Sequence, residues 1–497
     1  MTAFQQALVL VFDWQVLATI LASAVYGLLF GAIPGLTATM AVALIVPFAF
    51  ILDPIPAIAA IVTASAMAIF AGDIPACLLR LPGTPASAAY TNESYLMTQK
   101  GEAGWVLGTN LLFSALGGLF GTIILVVASP ILADYALSLS SFEFFWLSCL
   151  GLSCAVFVAG DQPLKGAVSL VLGLLIATVG RDYTTGFPRF TFGNSDLLGG
   201  VPFIPALIGM FALPEILRTL LFRGEFERPP QLGHLRIFKG FFATLRTYWK
   251  NFLRSSTLGT LVGILPGAGA DIAAWVSYAV SKKFTREPEK WGKGHIEGIV
   301  DATSANNAAL SGAWVPALVF AIPGDSITAI AIGVMYLKNV NPGPSIFLEN
   351  AHFLYAVFAI FFIANLLMIP IGWAAIRMAT PILKVKRQLL MPFLLLFCIV
   401  GAYSIENSMF GVVVMLVLGI IAFLMEENDF PIAPAVLGIV MGTLVEQNLM
   451  TSLIKSGWQP LGFVERPVSA VLAFITIGVW LLALVTWLVT LRRAKAG

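Results

Sequence analysis

The sequence predicts an all-α, polytopic membrane protein of about 11–12 transmembrane helices, built from two inverted repeats whose helices are broken at Pro-Gly pairs or folded as re-entrant hairpins. Three observations lead there. The chain is too apolar for water, its apolar runs have the length of a membrane span, and three motifs recur in the same order in its two halves.

Of 497 residues, 59% are hydrophobic and 11% charged, with a mean hydropathy of +0.91. A soluble domain carries about 25% charged residues because its surface faces water. This chain needs lipid as its solvent. A helix crossing the hydrocarbon layer needs roughly 20 apolar residues, and the runs 104–128, 353–376, 408–425 and 468–491 are the clearest of that kind. No Lys or Arg precedes the first apolar run, so the first helix itself, rather than a cleaved leader with a basic head, is expected to direct insertion. Cys77, Cys149, Cys154 and Cys398 lie in apolar stretches with no CxxC pair, and the histidines are His234, His295 and His352. That pattern argues against a disulfide framework or structural zinc. No Gly-x-Ser-x-Gly elbow, HExxH or Walker A lysine occurs, so neither an enzyme nor an ATP-driven pump is expected, and no bound cofactor.

The repeats follow from three matches. Gly27-x-x-x-Gly31-x-x-Pro34-Gly35 returns as Gly259-x-x-x-Gly263-x-x-Pro266-Gly267, offset by 232 positions. Pro75-Ala76 through Pro82-Gly83 returns as Pro316-Ala317 through Pro323-Gly324, offset by 241. Pro202-x-x-Pro205-Ala206-x-x-Gly209 returns as Pro431-x-x-Pro434-Ala435-x-x-Gly438, offset by 229. Collinear matches at nearly constant offset mark a duplication. The expected units are a first repeat 15–222, a linker 223–255, a second repeat 256–452 and an added helix 468–491.

The linker carries Arg223, Arg228, Arg236, Lys239, Arg246, Lys250 and Arg254 against Glu225 and Glu227, and the tail carries Arg492, Arg493 and Lys495. The positive-inside tendency puts both in the cytoplasm, and the N-terminal flank, with only Asp13, in the periplasm. Each half then crosses an odd number of times, which inverts one repeat relative to the other. Phe238, Phe241, Phe242, Leu245, Trp249 and Phe252 recur at helical spacing among the basic residues. They predict an amphipathic helix on the lipid interface, with no nucleic-acid partner. One basic segment conflicts with this scheme. Lys282, Lys283, Arg286, Lys290 and Lys293 fall outside if 256–281 crosses once; either that stretch is re-entrant or the charge rule fails there.

The Pro-Gly breaks carry the chemistry. Pro removes a backbone donor, Gly lets the chain leave the helix, and in lipid the freed groups must find partners or line a cavity. Half-helix N-termini then suit anions and unwound carbonyls suit cations. Candidate anion-binding residues are Pro34, Gly35, Thr37, Arg80, Pro82, Gly83, Thr84, Ser87, Asn306, Asn307, Pro323, Gly324, Asp325 and Ser326. Candidate ion-binding residues are Gly35, Thr39, Gly267, Gly269, Asp271 and Ser304. The plain alternatives stand beside these. The Gly-x-x-x-Gly pairs could only pack helices, and the hydroxyls and carboxylates could only cap them. Arg80 could clamp a carboxylate, pair with Asp73 or Glu93, or snorkel to the interface.

Several stretches together resemble a known family: Ile33-Pro34-Gly35-Leu36, Pro82-Gly83-Thr84-Pro85-Ala86-Ser87-Ala88, Ser304-Ala305-Asn306-Asn307-Ala308-Ala309, Ile322-Pro323-Gly324-Asp325 and Asn341-Pro342-Gly343-Pro344. They are similar to the large membrane subunit of the bacterial tripartite tricarboxylate transporters, over nearly the whole chain. The resemblance implies an inner-membrane protein that works with a small four-helix membrane subunit and a periplasmic solute-binding protein. It further implies uptake of citrate or another carboxylate driven by an ion gradient, with sodium as the coupling ion. Two positions depart from the family's pattern: Thr303 stands where an acidic residue is common, and Arg80 where a small or amide residue is common. Both make the site more positive. The rival readings are a membrane-embedded enzyme and an anion channel.

Overall fold

Long apolar runs punctuated by Gly and Pro leave the backbone one way to pair its polar groups away from water, the helix. The computed structural model describes residues 2–158, 163–221, 236–238, 240–383 and 387–496. From the N-terminus the helices are α1 (Ala3–Val11), α2 (Trp14–Ala32), α3 (Ala38–Ile51), α4 (Pro54–Ala71), α5 (Asp73–Leu79), α6 (Thr91–Gln99) and α7 (Ala103–Ala136). Then come α8 (Ser141–Val158), α9 (Pro163–Ala177), α10 (Phe203–Leu221), α11 (Phe241–Ile264), α12 (Gly269–Phe284), α13 (Ile296–Phe320) and α14 (Ser326–Leu337). The last are α15 (Ile346–Glu349), α16 (Ala351–Arg377), α17 (Ala379–Leu383), α18 (Arg387–Glu406), α19 (Met409–Glu427), α20 (Ile432–Lys455) and α21 (Pro467–Ala496). Among the described residues, seven helices are long and apolar enough to cross a membrane, and six shorter apolar helices accompany them. The fold is all-α and polytopic, as the composition requires.

The chain divides into two compact units, Met1–Asp134 with Pro202–Asn428 and Tyr135–Val201 with Asp429–Gly497. In the first, α2 packs along α4 and α11 along α13. Both contacts depend on the Gly-x-x-x-Gly pairs. A Cβ on Gly27 or Gly31 would lie 2.2 Å from the Ala64 or Ala68 carbonyl oxygen. A Cβ on Gly259 or Gly263 would lie 2.3 Å from that of Ala305 or Ala309. Each step of four residues on one helix meets a step of four on the other in the same direction, so each pair of helices runs parallel. α3 and α12 are the returning arms between them.

The return of α12 accounts for the basic segment. Asp301, at the start of α13, accepts from Ser281 near the end of α12 and from Ser255 and Arg254 of α11, the last at 2.8 Å. Asn251 donates to Glu297 at 2.7 Å. Hairpin α11–α12 therefore comes back to the end from which it left, and the stretch from Lys282 to Lys293 shares that end with Arg254. A single crossing is not what this hairpin makes.

α11 begins at Phe241, well before the composition turns apolar, and bends at Tyr248, whose φ of −108° and ψ of 19° are not helical. Phe241 and Phe252 each meet the Phe113 ring of α7 at 6.0 Å, while Phe242 and Trp249 are exposed. Residues 222–235 and Lys239 of the linker, with Arg223, Glu225, Glu227 and Arg228, lie outside the described residues.

Elsewhere in this unit α10 packs on α18 and α19, and Gly209 sits where a Cβ would be 2.1 Å from the Met415 oxygen. In the second unit α20 packs on α8 and α9, and Gly438 holds the matching place, 2.7 Å from the Leu170 oxygen. A short hairpin, β1 (Gly180–Arg181) and β2 (Pro188–Arg189), pairs Gly180 with Arg189. Arg189 reaches Glu446 at 2.8 Å. The Thr185 and Thr184 donors around Asp182 hold that carboxyl down at about 2.

Candidate functional site: the converging chain breaks

The four Pro-Gly breaks that recur between the halves lie in the first unit, and they come in two kinds. The first kind joins α2 to α3 and α11 to α12. Each arm ends in an extended residue, Ile33 or Leu265. Each turn is then closed by one bond, Leu36 N–H to the Ile33 oxygen or Ala268 N–H to the Leu265 oxygen, both at 3.1 Å. Gly35 and Gly267 take φ of 86° and 83°, a region only glycine enters without strain. Thr37 caps α3 by accepting from Met40 N–H at 3.1 Å, and Thr39 is half-buried one residue into that helix.

The second kind ends α5 and α13. Arg80 and Ala321 are both left-handed, with φ of 58° and 56°. The next N–H reaches back six residues, Leu81 to Pro75 at 3.4 Å and Ile322 to Pro316 at 3.2 Å, one residue wider than a Schellman closure and alike in both halves. Pro82-Gly83 and Pro323-Gly324 follow. Here too the glycines permit close approach: a Cβ would lie 2.7 Å from the Gly31 oxygen at Gly83, and 2.8 Å from the Gly263 oxygen at Gly324. Each break thus lodges against the Gly-x-x-x-Gly helix of its own half.

Reciprocal caps restart the chain after each break. Thr84 N–H donates to Ser87 Oγ and Ser87 N–H to Thr84 Oγ1, both at 3.2 Å. Asp325 N–H donates to Thr328 Oγ1 at 2.9 Å and Thr328 N–H to Asp325 Oδ1 at 2.8 Å. The counterpart of Ser87 is therefore Thr328, offset by 241 like the motif itself, and not the half-buried Ser326. The offset alone would have found it.

Within the second half the two breaks bond to each other, and Asp271 then reaches the first half. Gly267 N–H donates to the Gly324 oxygen at 2.8 Å, and a Cβ on Gly269 would lie 2.7 Å from the Asp325 Cβ. Asp271 Oδ1 accepts from Ala86 N–H at 3.0 Å. Pro82, Pro85 and Asp271 are exposed there, and Pro34, Gly35, Gly267, Asp325 and Ser326 half-buried, so the tips are accessible.

Arg80 is exposed and pairs with neither Asp73 nor Glu93. Its Nη2 donates to Asn92 Oδ1 at 3.0 Å, and its guanidinium lies 6.0 Å from the Tyr95 ring centre. Asp73 instead accepts from the Tyr90 hydroxyl. Glu93 sits in a nest of N–H donors from Gly292, Gly294 and His295 at 2.6, 2.7 and 2.9 Å. Asn306 and Asn307 are buried in α13, and Ser304 donates to the Val300 oxygen at 2.7 Å within its own helix. The arrangement offers helix starts and a guanidinium for an anion, and freed carbonyls and carboxylates for a cation.

Residues 17–437 match the tripartite tricarboxylate transporter TctA family. The chain belongs to that family. It is 32% identical over 460 residues, 92% of this chain and 91% of the relative, to an uncharacterized 52.8 kDa protein in the TAR-I ttuC' 3' region of Agrobacterium vitis. It is also 32% identical over 237 residues, 48% of this chain and 96% of the relative, to an uncharacterized protein in the TAR-II ttuC' 3' region of the same organism. No solved structure matches. As a TctA-family member with several membrane-length helices, the chain is a multi-pass membrane component of a transporter.

Proposed function

We propose that this TctA-family chain is the substrate-translocating subunit of an uptake system in a bacterial inner membrane. Its substrates are tricarboxylates, dicarboxylates or related small organic anions, delivered by a periplasmic solute-binding protein. A small four-helix membrane subunit completes the assembly, and a sodium gradient drives it. The observation that supports this most is the matched pair of chain breaks in each half, joined across the halves by the Ala86–Asp271 bond. Breaks of this kind line a cavity rather than face lipid. Their matched geometry suits an inverted pair of repeats that opens a substrate path to either side in turn. Arg80 and the capped starts at Thr84, Ser87, Asp325 and Ser326 would face the carboxylates, and Asn306 and Asn307 would add amide donors.

Uptake of labelled carboxylates into proteoliposomes carrying this chain and its small partner tests the reading. Accumulation should require both the binding protein and an inward sodium gradient. Rapid flux indifferent to both would establish a channel instead.

A further inference from the structure

Asp301 ties the two arms of the α11–α12 hairpin together at their shared end, accepting from Arg254 and Ser255 of α11 and from Ser281 of α12. Just outward of that junction the surface changes character on both arms. Lys250 on α11 and Lys283 on α12 are exposed, and so is the ring beside each, Trp249 at 49% and Phe284 at 66%. The Lys250 ammonium lies 5.6 Å from the Trp249 ring centre, and that of Lys283 lies 6.0 Å from the Phe284 ring centre. Farther out on α11, Phe242 and Arg246 are exposed at i,i+4 spacing, so ring and cation share one helix face. These cations are not matched by carboxylates. Among the described residues Arg254 pairs with Asp301 and Lys290 with Glu287, while Arg246, Lys250, Lys282, Lys283 and Arg286 have no acidic group within ion-pair distance. No Asp or Glu falls between Arg236 and Ala270, and only Glu287 and Glu289 stand among the five basic residues from Lys282 to Lys293.

Exposed rings beside unpaired cations match the boundary where acyl chains meet headgroups. Rings settle at that boundary, and the long basic side chains extend from it to phosphate. We propose that the mouth of the α11–α12 hairpin docks on anionic phospholipid, with Arg246, Lys250 and Lys283 against headgroup phosphates and Phe242, Trp249 and Phe284 at the acyl boundary. Charge complementarity selects an anionic headgroup over a zwitterionic one, whose own cation opposes these side chains. Each arm carries the same ring–cation pair, so lipid holds the hairpin on both sides of its mouth. That fixes the outer end of the hairpin, while the Pro266-Gly267 break lies at the other end. The surface is separate from the Pro-Gly breaks, and its lipid contact is independent of substrate and coupling ion.

The test is native mass spectrometry of the full chain released from detergent micelles that hold equal amounts of phosphatidylglycerol and phosphatidylcholine. Wild type should retain phosphatidylglycerol preferentially, and salt added during equilibration should weaken the preference by screening. A basic side chain at an anionic surface contributes roughly fivefold in affinity. Lys250→Gln combined with Lys283→Gln should therefore lower phosphatidylglycerol retention at least tenfold and leave phosphatidylcholine unchanged. Arg246→Gln should lower it about fivefold by itself. Arg181→Gln, which removes an exposed cation of the β1–β2 hairpin, should change nothing. Thermal midpoints equal to wild type in phosphatidylcholine establish that the variants are folded, and should the double variant not fold, Arg246→Gln decides. Equal retention of the two lipids overturns the proposal, as does a preference that survives the variants. A loss of the same size in Arg181→Gln would make it an effect of net charge and overturn the site. Displacement of the lipid by millimolar inorganic phosphate would assign the cations to a soluble anion instead. Displacement by the small membrane subunit would assign the surface to that protein and overturn the lipid contact.

Discussion

Asp271 Oδ1 accepts a hydrogen bond from Ala86 N–H at 3.0 Å, joining the hairpin tip of one half of the sequence to the chain break of the other. One turn along α12, Trp275 Nε1 donates to the Pro85 oxygen at 3.1 Å, so two bonds make the junction. Asp271→Asn keeps an acceptor facing Ala86, and its thermal midpoint in detergent should stay close to wild type. Asp271→Ala removes the acceptor and should cost about 1–3 kcal/mol. If the charge also serves an ion, the Asn variant should lose uptake despite its stability, and parallel melting and proteoliposome assays separate the two effects.

The glycine contacts give a prediction whose sign depends on magnitude. Gly to Ala in a helix ordinarily gains roughly 0.5–1 kcal/mol. At Gly31 and Gly263 the new methyl would meet a backbone oxygen at 2.2 and 2.3 Å, and backbone cannot swing aside. Overpacking of this sort costs about 1–3 kcal/mol, so both variants should melt lower. Gly478, in α21, has open space around it. Gly478→Ala should be neutral or stabilising in the same assay.

Pro-Gly pairs and their offsets were enough to place the breaks, because those residue types force the chain out of a helix wherever they fall. What the breaks touch was less legible. Asp73 and Tyr90 are 17 positions apart, and Glu93 lies about 200 before its donors; no periodicity reports such contacts. The change from polar to apolar near 255 marks no helix end, since α11 runs through it with only the bend at Tyr248. Ser326 drew attention because it follows Asp325 directly. A capping box works over three residues, so Thr328 does the capping.

The two reciprocal caps should be comparable in value. Ser87→Ala and Thr328→Ala each remove a side chain that bonds the opposite backbone N–H, and each should lower stability by about 1 kcal/mol. Ser326→Ala should leave the thermal midpoint unchanged. A larger loss at Ser326 than at Thr328 would contradict the cap geometry.

Glu93 pins the basic loop after α12 through its three backbone N–H donors and the Tyr278 hydroxyl at 3.2 Å. Glu93→Gln exchanges one carboxylate oxygen for an NH2 that can only face those donors. Charge-assisted bonds contribute about 1.5–3 kcal/mol each. Trypsin cleavage after Arg286, Lys290 or Lys293 should therefore speed up about tenfold or more, read by mass spectrometry of the early fragments. Unchanged cleavage would mean that other contacts hold the loop.

Arg80 and Ala321 form a matched pair for asking what the guanidinium does. Both adopt left-handed backbone, φ 58° and 56°, at the end of a helix, a conformation costing a side chain roughly 1–2 kcal/mol that glycine escapes. Glycine gives back about 0.5–1 kcal/mol through its looser unfolded state. Arg80→Gly and Ala321→Gly should accordingly melt at or slightly above wild type. Only the first removes a charge beside the Pro82-Gly83 break. A carboxylate clamp at Arg80 predicts that Arg80→Gly raises the half-saturating substrate concentration at least tenfold while Ala321→Gly leaves it alone. Arg80→Lys should restore little, because an ammonium cannot reproduce the planar two-point contact. If instead both glycine variants transport alike, Arg80 serves through its bond to Asn92 and the Tyr95 face alone, and the anion is held by the capped helix starts.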